Sequence, residues 1–346
     1  MTIKDIAREC GCAIGTVSRV LNNHPDVSEK TREKVLAVVK KHNFIINANA
    51  KLLKTQDRKT IEVLVKGSSS ILLNSLLERI QKKIEQLPYS ASVVVLDEYD
   101  NEAKAANRIY YEQKPVGIIF LGGSPDLFKD DFARLLVPCV VISNESQLIE
   151  GARISSVSTD NFTAASHAAD YLIRMGHTKI GVIGGDLCGS GITQRRYDGF
   201  LSSITKAGLE FNYDQAYMTS KYSFEDGALA AQKLVERYPD MTAIFAMSDV
   251  MAIGAIRKLS DLGYRVPDDI SITGFDGISI SEYYQPRLTT IRQNTDLLAD
   301  EGLNILLDNI EKNTPPQNKF IPFEFIHGES VKQALFTNTE VCKNRA

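Results

Sequence analysis

The stretch Gly181-Val-Ile-Gly-Gly-Asp-Leu-Cys-Gly-Ser-Gly191 follows an apolar run, a setting in which backbone amides can cradle phosphates. Its spacing forms neither G-x-G-x-x-G nor G-x-x-x-x-G-K-S/T, so it carries no dinucleotide or P-loop fingerprint. No G-x-S-x-G elbow occurs. The five histidines (24, 42, 167, 177 and 327) are dispersed and form no H-E-x-x-H. The five cysteines, at 10, 12, 139, 188 and 342, are scattered too. Cys10-Gly-Cys12 has no second Cys or His pair nearby to complete a zinc site. Neither an enzyme nor a metal or other cofactor is expected. The opening residues suit a different chemistry. Thr16, Ser18 and Arg19 stand with Gly15 on one face of a short helical pattern whose other face is Val17, Val20 and Leu21. Hydroxyls and a guanidinium on an outward helical face are groups that meet DNA.

Short elements must hold that face. Ile3, Ile6 and Ala7 fall at helical spacing, so a helix is expected from Ile3 to about Cys10, with Thr2 as its N-cap. Gly11 ends it, since glycine enters a left-handed turn without steric cost. Two short helices joined by such a turn make a helix-turn-helix, whose second helix enters the major groove. Ser28 caps a third helix with Val35, Leu36, Val38 and Val39 as its apolar face. Charge follows the same division: residues 1–60 hold twelve Lys/Arg against six Asp/Glu, while the remaining chain is acidic within a net charge of −3. A basic end on an acidic body suits a polyanion partner at one end only.

From Lys59 onward, β-rich runs alternate with helical stretches. Strands are expected at Ile61–Val65, Ser92–Leu96, Val116–Leu121, Val140–Ile142, Lys179–Ile183, Ala243–Ala246 and Ile270–Phe275. Helices are expected at Leu72–Gln86, Glu102–Gln113, Asn161–Met175, Gln194–Ala207, Phe224–Tyr238 and Val250–Leu262. This predicts an α/β body of two doubly wound lobes with parallel sheets, binding a ligand in the cleft between them, beyond the carboxyl ends of the strands. At 346 residues the chain supports two or three domains. The expected division is a headpiece over 1–46, a hinge and linker over 47–59, a core over 60–330 and a tail over 331–346, disordered from about Thr337. The segment Asn47–Thr55 has good helix formers but is too short for a stable helix in water. It reads equally as a hinge helix that folds on its partners and as an ordinary linker. No apolar run approaches a membrane span, the chain opens on a helix instead of a signal sequence, and the odd cysteine count fits reduced thiols; a cytoplasmic protein is expected.

The motifs resemble, in order, those of the lac-repressor/galactose-repressor family of bacterial transcription regulators. They are Thr2-Ile-Lys-Asp-Ile-Ala, Thr16-Val-Ser-Arg-Val-Leu-Asn22, Asn47-x-x-Ala-Lys-x-Leu53, Asp160-Asn161, Gly176-His-Thr-Lys-Ile180, Arg196-x-x-Gly-Phe200, Val266-Pro-Asp-Asp-Ile-Ser271, Gly274-Phe-Asp276 and Pro286-x-Leu-Thr-Thr290. The resemblance implies a homodimer on double-stranded operator DNA, with a periplasmic-binding-protein-like core that takes a small-molecule effector, a sugar or sugar derivative. It implies a repressor of carbohydrate uptake or catabolism. Ile14, Gly15 and Arg19 match base-reading positions, and Thr16, Ser18 and Asn22 match phosphate contacts. Ala50 and Lys51 match minor-groove residues and Leu53 an intercalating leucine. For the effector, Arg196, Asp276, Tyr222 and Gln293 match binding positions, and Ser68, Ser69, Ser143, Asp160, Ser190 and Ser248 match cleft-edge positions.

Several residues depart from the family pattern. Ile46 stands where proline is usual, Lys51 where arginine is usual, and Ala13 where a serine cap is common. Ser248-Asp249 replaces Asn-Asp, Ser143 stands where some relatives carry Asp, and Leu72 and Leu73 replace paired aromatics. The alternatives are a nucleobase-responsive regulator and a solute-binding protein with an appended helical headpiece.

Overall fold

The structure is a computed structural model that describes residues 3–21, 26–42, 59–67, 70–97, 100–146, 149, 151–189 and 191–334. The chain divides into two compact units, Met1–Arg58 and Lys59–Ala346.

Among the described residues the first unit carries three helices, α1 (Ile3–Glu9), α2 (Ile14–Leu21) and α3 (Glu29–Lys41). Gly11 adopts φ +59° between α1 and α2, so the expected left-handed stop is present. Ile6, Ala7, Cys10, Val17, Val20 and Val35 form the core. On α3 the apolar face is narrower than expected. Val35 is buried and Val38 and Val39 pack beside it, but Leu36 is 46% exposed. Leu36 lies one position round from the i, i+3, i+4 stripe that meets the other helices. Ser28 takes the N-cap position without capping: its hydroxyl pairs with that of Thr31 at 2.8 Å instead of with an amide. Glu9 ties α1 to the end of α3 by accepting from Lys41 Nζ at 2.8 Å and by pairing with His42 Nε2 at 2.8 Å. These bonds, that to Lys41 first, hold the Glu9 carboxyl below its ordinary range.

The second unit contains twelve strands among the described residues: β1 (Lys59–Lys66), β2 (Tyr89–Leu96), β3 (Gly117–Leu121), β4 (Cys139–Ile142), β5 (Ile154–Thr159), β6 (Ile180–Gly184), β7 (Tyr217–Thr219), β8 (Ala243–Ala246), β9 (Ser271–Asp276), β10 (Thr289–Gln293), β11 (Asn318–Ile321) and β12 (Phe323–Ile326). They form two six-stranded sheets, ordered β11-β5-β4-β3-β1-β2 and β12-β10-β9-β8-β6-β7. The same winding thus occurs twice, giving two lobes. Sheet 1 is parallel throughout. Sheet 2 departs from the all-parallel expectation at its edge, where β12 runs antiparallel to β10. Only Pro322 separates β11 from β12, so the chain passes straight from one sheet to the other.

The chain crosses between lobes three times: after β5, after β10 and after β11. The Asn161–Arg174 helix packs on lobe 2 through Ala164, Ala165, Ala168 and Leu172. The Thr295–Glu311 helix returns to lobe 1 and packs Leu298, Leu303 and Leu306 there. Among the described residues, no helix is long and apolar enough to cross a membrane.

Strand β5 was not expected, because Ile-Ser-Ser-Val-Ser-Thr lacks an apolar run. All six of its residues are buried. Ser155 Oγ donates to Asn309 Oδ1 at 3.1 Å, Ser156 Oγ to Asn318 Oδ1 at 2.9 Å and Thr159 Oγ1 to Gln293 Oε1 at 2.9 Å. Hydroxyls with such partners are buried at small net cost. The tail begins as part of lobe 2: the Lys332 amide donates to Ser271 Oγ at 3.1 Å and the Ala334 amide to the Met175 carbonyl at 2.7 Å.

Candidate functional site

On α2, burial of Val17 and Val20 turns the opposite side outward. Ile14, Gly15 and Arg19 are exposed there, and Thr16 and Ser18 are half-buried. These five expected DNA-facing residues therefore share one accessible helix surface. A Cβ built on Gly15 meets nothing within 4 Å, so that surface is open at its centre. Asn22 and the hinge residues Ala50, Lys51 and Leu53 lie outside the described residues, as do Ser68, Ser69 and Ser190.

In the second unit a cavity of about 350 Å³ opens between the lobes, at the carboxyl ends of the strands. Four expected effector residues line it: Ser143, Arg196, Tyr222 and Asp276. Three do not. Asp160 caps the Asn161–Arg174 helix, accepting from the Thr163 amide at 3.0 Å and the Thr163 hydroxyl at 2.7 Å. Ser248 caps the Asp249–Asp261 helix through the Met251 amide at 3.3 Å and borders only a small side recess. Gln293 is buried with both ends engaged: its Nε2 donates to Asp276 Oδ1 at 2.8 Å, and its Oε1 accepts from Thr159.

Residues the sequence did not single out complete the wall. Lys66 ends β1, Ser124 follows β3, Asn144 follows β4, Asp186 follows β6, and Ser220 and Lys221 follow β7. The available signal was position, since each stands at or just past a strand's carboxyl end.

Lobe 2 supplies a polar wall built around Arg196, whose side chain is 2% exposed. Its Nε donates to Asn161 Oδ1 at 2.9 Å, its Nη1 to the Met247 carbonyl, and its Nη2 to Asp276 Oδ1 at 3.4 Å. The guanidinium also lies 3.6 Å from the centre of the Phe275 ring. Burial pushes the Asp276 carboxyl up to about 6, against the opposing pull of Arg196 and Gln293. Behind it, Asp249 accepts from the Thr290 hydroxyl at 2.5 Å and the Ile278 amide at 2.8 Å. Burial, and then the charge of Asp276, drive the Asp249 carboxyl well above its ordinary range. Tyr222 is fixed by a 2.8 Å bond between its hydroxyl and that of Thr193. Its ring lies so close to Gly185 that a Cβ there would come within 2.8 Å of it.

Lobe 1 presents Leu72, Leu73, Gly122 and Gly123. Lys66 on this wall is paired with the buried Glu102 at 2.8 Å, and Glu102 also accepts from the Ser124 amide at 2.5 Å. At the first crossover the Asn161 amide donates to Glu145 Oε1 at 3.2 Å, and Arg195 Nε lies 3.3 Å from Glu145 Oε2. Hydrogen bonds thus run from the cavity wall at Asp276 through Gln293 to Thr159, and through Arg196 to Asn161 and Glu145. Both paths end at crossovers. No group of three or more metal-ligating side chains occurs among the described residues.

A helix-turn-helix headpiece joined to a two-lobed core with an interlobe cavity is the architecture of a DNA-binding regulator. Residues 2–47 match the bacterial regulatory proteins of the lacI family, and residues 169–331 match the periplasmic binding protein-like domain. The chain is 34% identical over 337 residues to the HTH-type transcriptional regulator MalR of Clostridium butyricum, covering 95% of this chain and 99% of that one. It is 30% identical over 343 residues to the HTH-type transcriptional repressor PurR of Haemophilus influenzae (strain ATCC 51907 / DSM 11121 / KW20 / Rd), covering 96% and 99%. Among solved structures, the lac repressor dimer bound to operator and the anti-inducer ONPF superposes with TM-score 0.73 at 25% identity, over 96% of this chain and 99% of that one. The regulator CelR in complex with cellobiose superposes with TM-score 0.69 at 24% identity, over 95% and 99%. The chain belongs to the lacI family of bacterial transcriptional regulators, and its role is regulatory, not enzymatic.

Proposed function

We propose that this regulator is a cytoplasmic, homodimeric repressor of a carbohydrate uptake or catabolism operon, and that its hold on operator DNA is set by a neutral sugar bound between the lobes. The observation that carries this is the cavity: about 350 Å³, with the Arg196–Asp276 pair on one wall and Leu72 and Leu73 on the other. Forked donors beside a carboxylate suit the hydroxyls of a sugar, and the leucines suit its apolar faces. The size favours a ligand larger than one sugar ring, and the cellobiose bound by CelR is a precedent. Among the described residues Tyr222 is the one aromatic ring on the cavity wall, which disfavours a nucleobase held between two rings. On the DNA side, Arg19 reads guanine, Ile14 and Gly15 permit close approach, and Thr16, Ser18 and Asn22 hold phosphates. Ala50, Lys51 and Leu53 serve the minor groove.

A thermal-shift panel of mono- and disaccharides, sugar phosphates and nucleobases, followed by duplex-affinity measurements, tests this. A neutral disaccharide is expected to raise the melting temperature and change the affinity for a duplex selected from a random library. A response to nucleobases alone would replace the sugar. Tight sugar binding with no duplex binding at any salt concentration would favour a solute-binding protein.

A further inference from the structure

Cys10 and Cys12 flank Gly11 in the turn that joins α1 to α2. Gly11 at φ +59° turns the chain just past the end of α1, with one thiol on either side of it. Cys10 Sγ donates to the Ala7 carbonyl at 3.6 Å, Cys12 Sγ to the Cys10 carbonyl at 3.3 Å, and the Cys12 amide to the same Ala7 carbonyl at 3.0 Å. The two side chains lie two residues apart across the Gly11 turn, and burial first, then the neighbouring Cys12 thiol, raises the Cys10 pKa. Cys10 is 1% exposed within the headpiece core, whereas Cys12 reaches solvent in part. The other described thiols are isolated, Cys139 buried in β4 and Cys188 exposed in the loop after β6.

We propose that Cys10 and Cys12 are a redox-sensitive pair that closes to a disulfide in peroxide and thereby releases the headpiece from DNA. Cys12, the accessible sulfur, attacks the O–O bond as thiolate. One oxygen stays as its sulfenic acid and the other leaves as hydroxide, which becomes water on taking up a proton. The Cys10 sulfur then attacks the Cys12 sulfur and expels that oxygen as a second water. Two thiols lose two protons and two electrons, and one peroxide is reduced to two waters. Closing so small a ring bends the Gly11 turn and pulls Cys10 Sγ from its place among Ile6, Val17, Val20 and Val35. Ala13 follows Cys12 directly, and its carbonyl accepts from the Thr16 and Val17 amides at 2.9 and 3.1 Å, so the turn sets the start of α2. The headpiece core holds six buried residues among the described ones, and so small a core has little stability to lose. A strained disulfide of this kind is readily reduced by thiol–disulfide exchange with two equivalents of a small thiol, which leave as their own disulfide and return both cysteines to thiols.

The inference rests on the headpiece being the DNA-binding element. The test treats the full chain with hydrogen peroxide and follows the tryptic peptide Glu9–Arg19 by mass, together with affinity for a duplex that the reduced protein selects from a random library. The peptide is expected to lose two hydrogens. Duplex affinity should fall at least about tenfold and return with dithiothreitol. Cys12→Ser and Cys10→Ala should each keep near-native reduced affinity and become indifferent to peroxide. Should Cys10→Ala fail to fold, Cys12→Ser, altered at the accessible site, carries the test alone. Peroxide that leaves both thiols free, or a disulfide that leaves duplex affinity unchanged, overturns the proposal. A reduced protein that selects no duplex overturns the DNA-binding reading instead, while the peptide mass still reports on the disulfide.

Discussion

The two walls of the cavity come from lobes wound in the same order, yet they are built differently. Lobe 2 offers a buried arginine bonded to an amide, a carbonyl and a carboxylate, with a second carboxylate behind it. Among the described residues, lobe 1 offers Leu72, Leu73, Gly122 and Gly123, the hydroxyls of Ser124 and Ser143, the Asn144 amide, and Lys66 already paired with Glu102. Repeating a fold therefore repeats the place of a site, not its chemistry. The preorganised ion pair of lobe 2 is suited to orienting a ligand, and the two leucines of lobe 1 to selecting it by shape. Lobe 2's wall is wired to the crossovers through Gln293 and Asn161, and lobe 1's Asn144 joins the same network through Glu145, whose amide donates to Asn144 Oδ1 at 2.9 Å.

Breaking lobe 2's wall should have the largest effect. Arg196→Ala strands Asp276 and the Asn161 side-chain carbonyl, so unfolding free energy should fall by roughly 3–5 kcal/mol, the usual result of removing one partner of a buried pair. Denaturant titration measures this, and calorimetry should find sugar binding abolished. A loss below about 1 kcal/mol would mean that the network is not preorganised.

Asp276 gives the next largest effect, and its sign depends on pH. A sugar hydroxyl donating to this carboxylate needs the ionised form, which is populated above about 6. Sugar affinity should therefore drop about tenfold for each pH unit below that value, and Asp276→Asn should flatten the profile. For stability the direction reverses. A carboxyl raised in the folded state contributes stability when protonated and loses it as pH rises through about 6. The empty wild-type core should accordingly lose more stability between pH 5 and 7 than Asp276→Asn, in melts compared side by side.

Lobe 1 should respond in another way. Leu73→Ala removes a buried side chain that also faces the cavity, so about 2–3 kcal/mol of stability should go. Sugar affinity should change only about threefold, with the preference shifted toward bulkier ligands in a competition series. An affinity loss as large as that of Arg196→Ala would erase the contrast between the walls. The smallest effect on binding is expected from Gln293→Leu. It should leave sugar affinity within about threefold while weakening the sugar's effect on duplex binding, because it cuts the link from Asp276 to Thr159.

The sequence made the headpiece and the two-lobed alternation legible because their patterns are local. The Glu102–Gln113 helix and the Ala243–Ala246 strand stand where periodicity put them. Strand β5 escaped because its burial depends on partners far along the chain, Asn309 and Asn318. The antiparallel β12 follows from a crossover that no local pattern announces. At the site, Arg196, Asp276, Tyr222 and Ser143 converge. Asp160 and Ser248 instead cap helices at the cleft edge, where a capping carboxylate or hydroxyl has the same sequence context as a ligand contact. Lys66 and Asp186 went unnoticed because a strand end becomes a cavity wall only once the sheet is assembled.

The measurement that bears most directly on effector-controlled DNA binding is the affinity of the reduced full chain for its selected duplex. It is to be titrated with the sugar that gives the largest thermal shift, in wild type and in Asp276→Asn. The account predicts that saturating sugar changes wild-type duplex affinity by at least about fivefold, the lower end of ordinary allosteric coupling. In the variant the midpoint should move to about tenfold higher sugar, while sugar-free duplex affinity stays unchanged. Duplex affinity indifferent to the sugar in wild type, or an identical midpoint in both proteins, would contradict it.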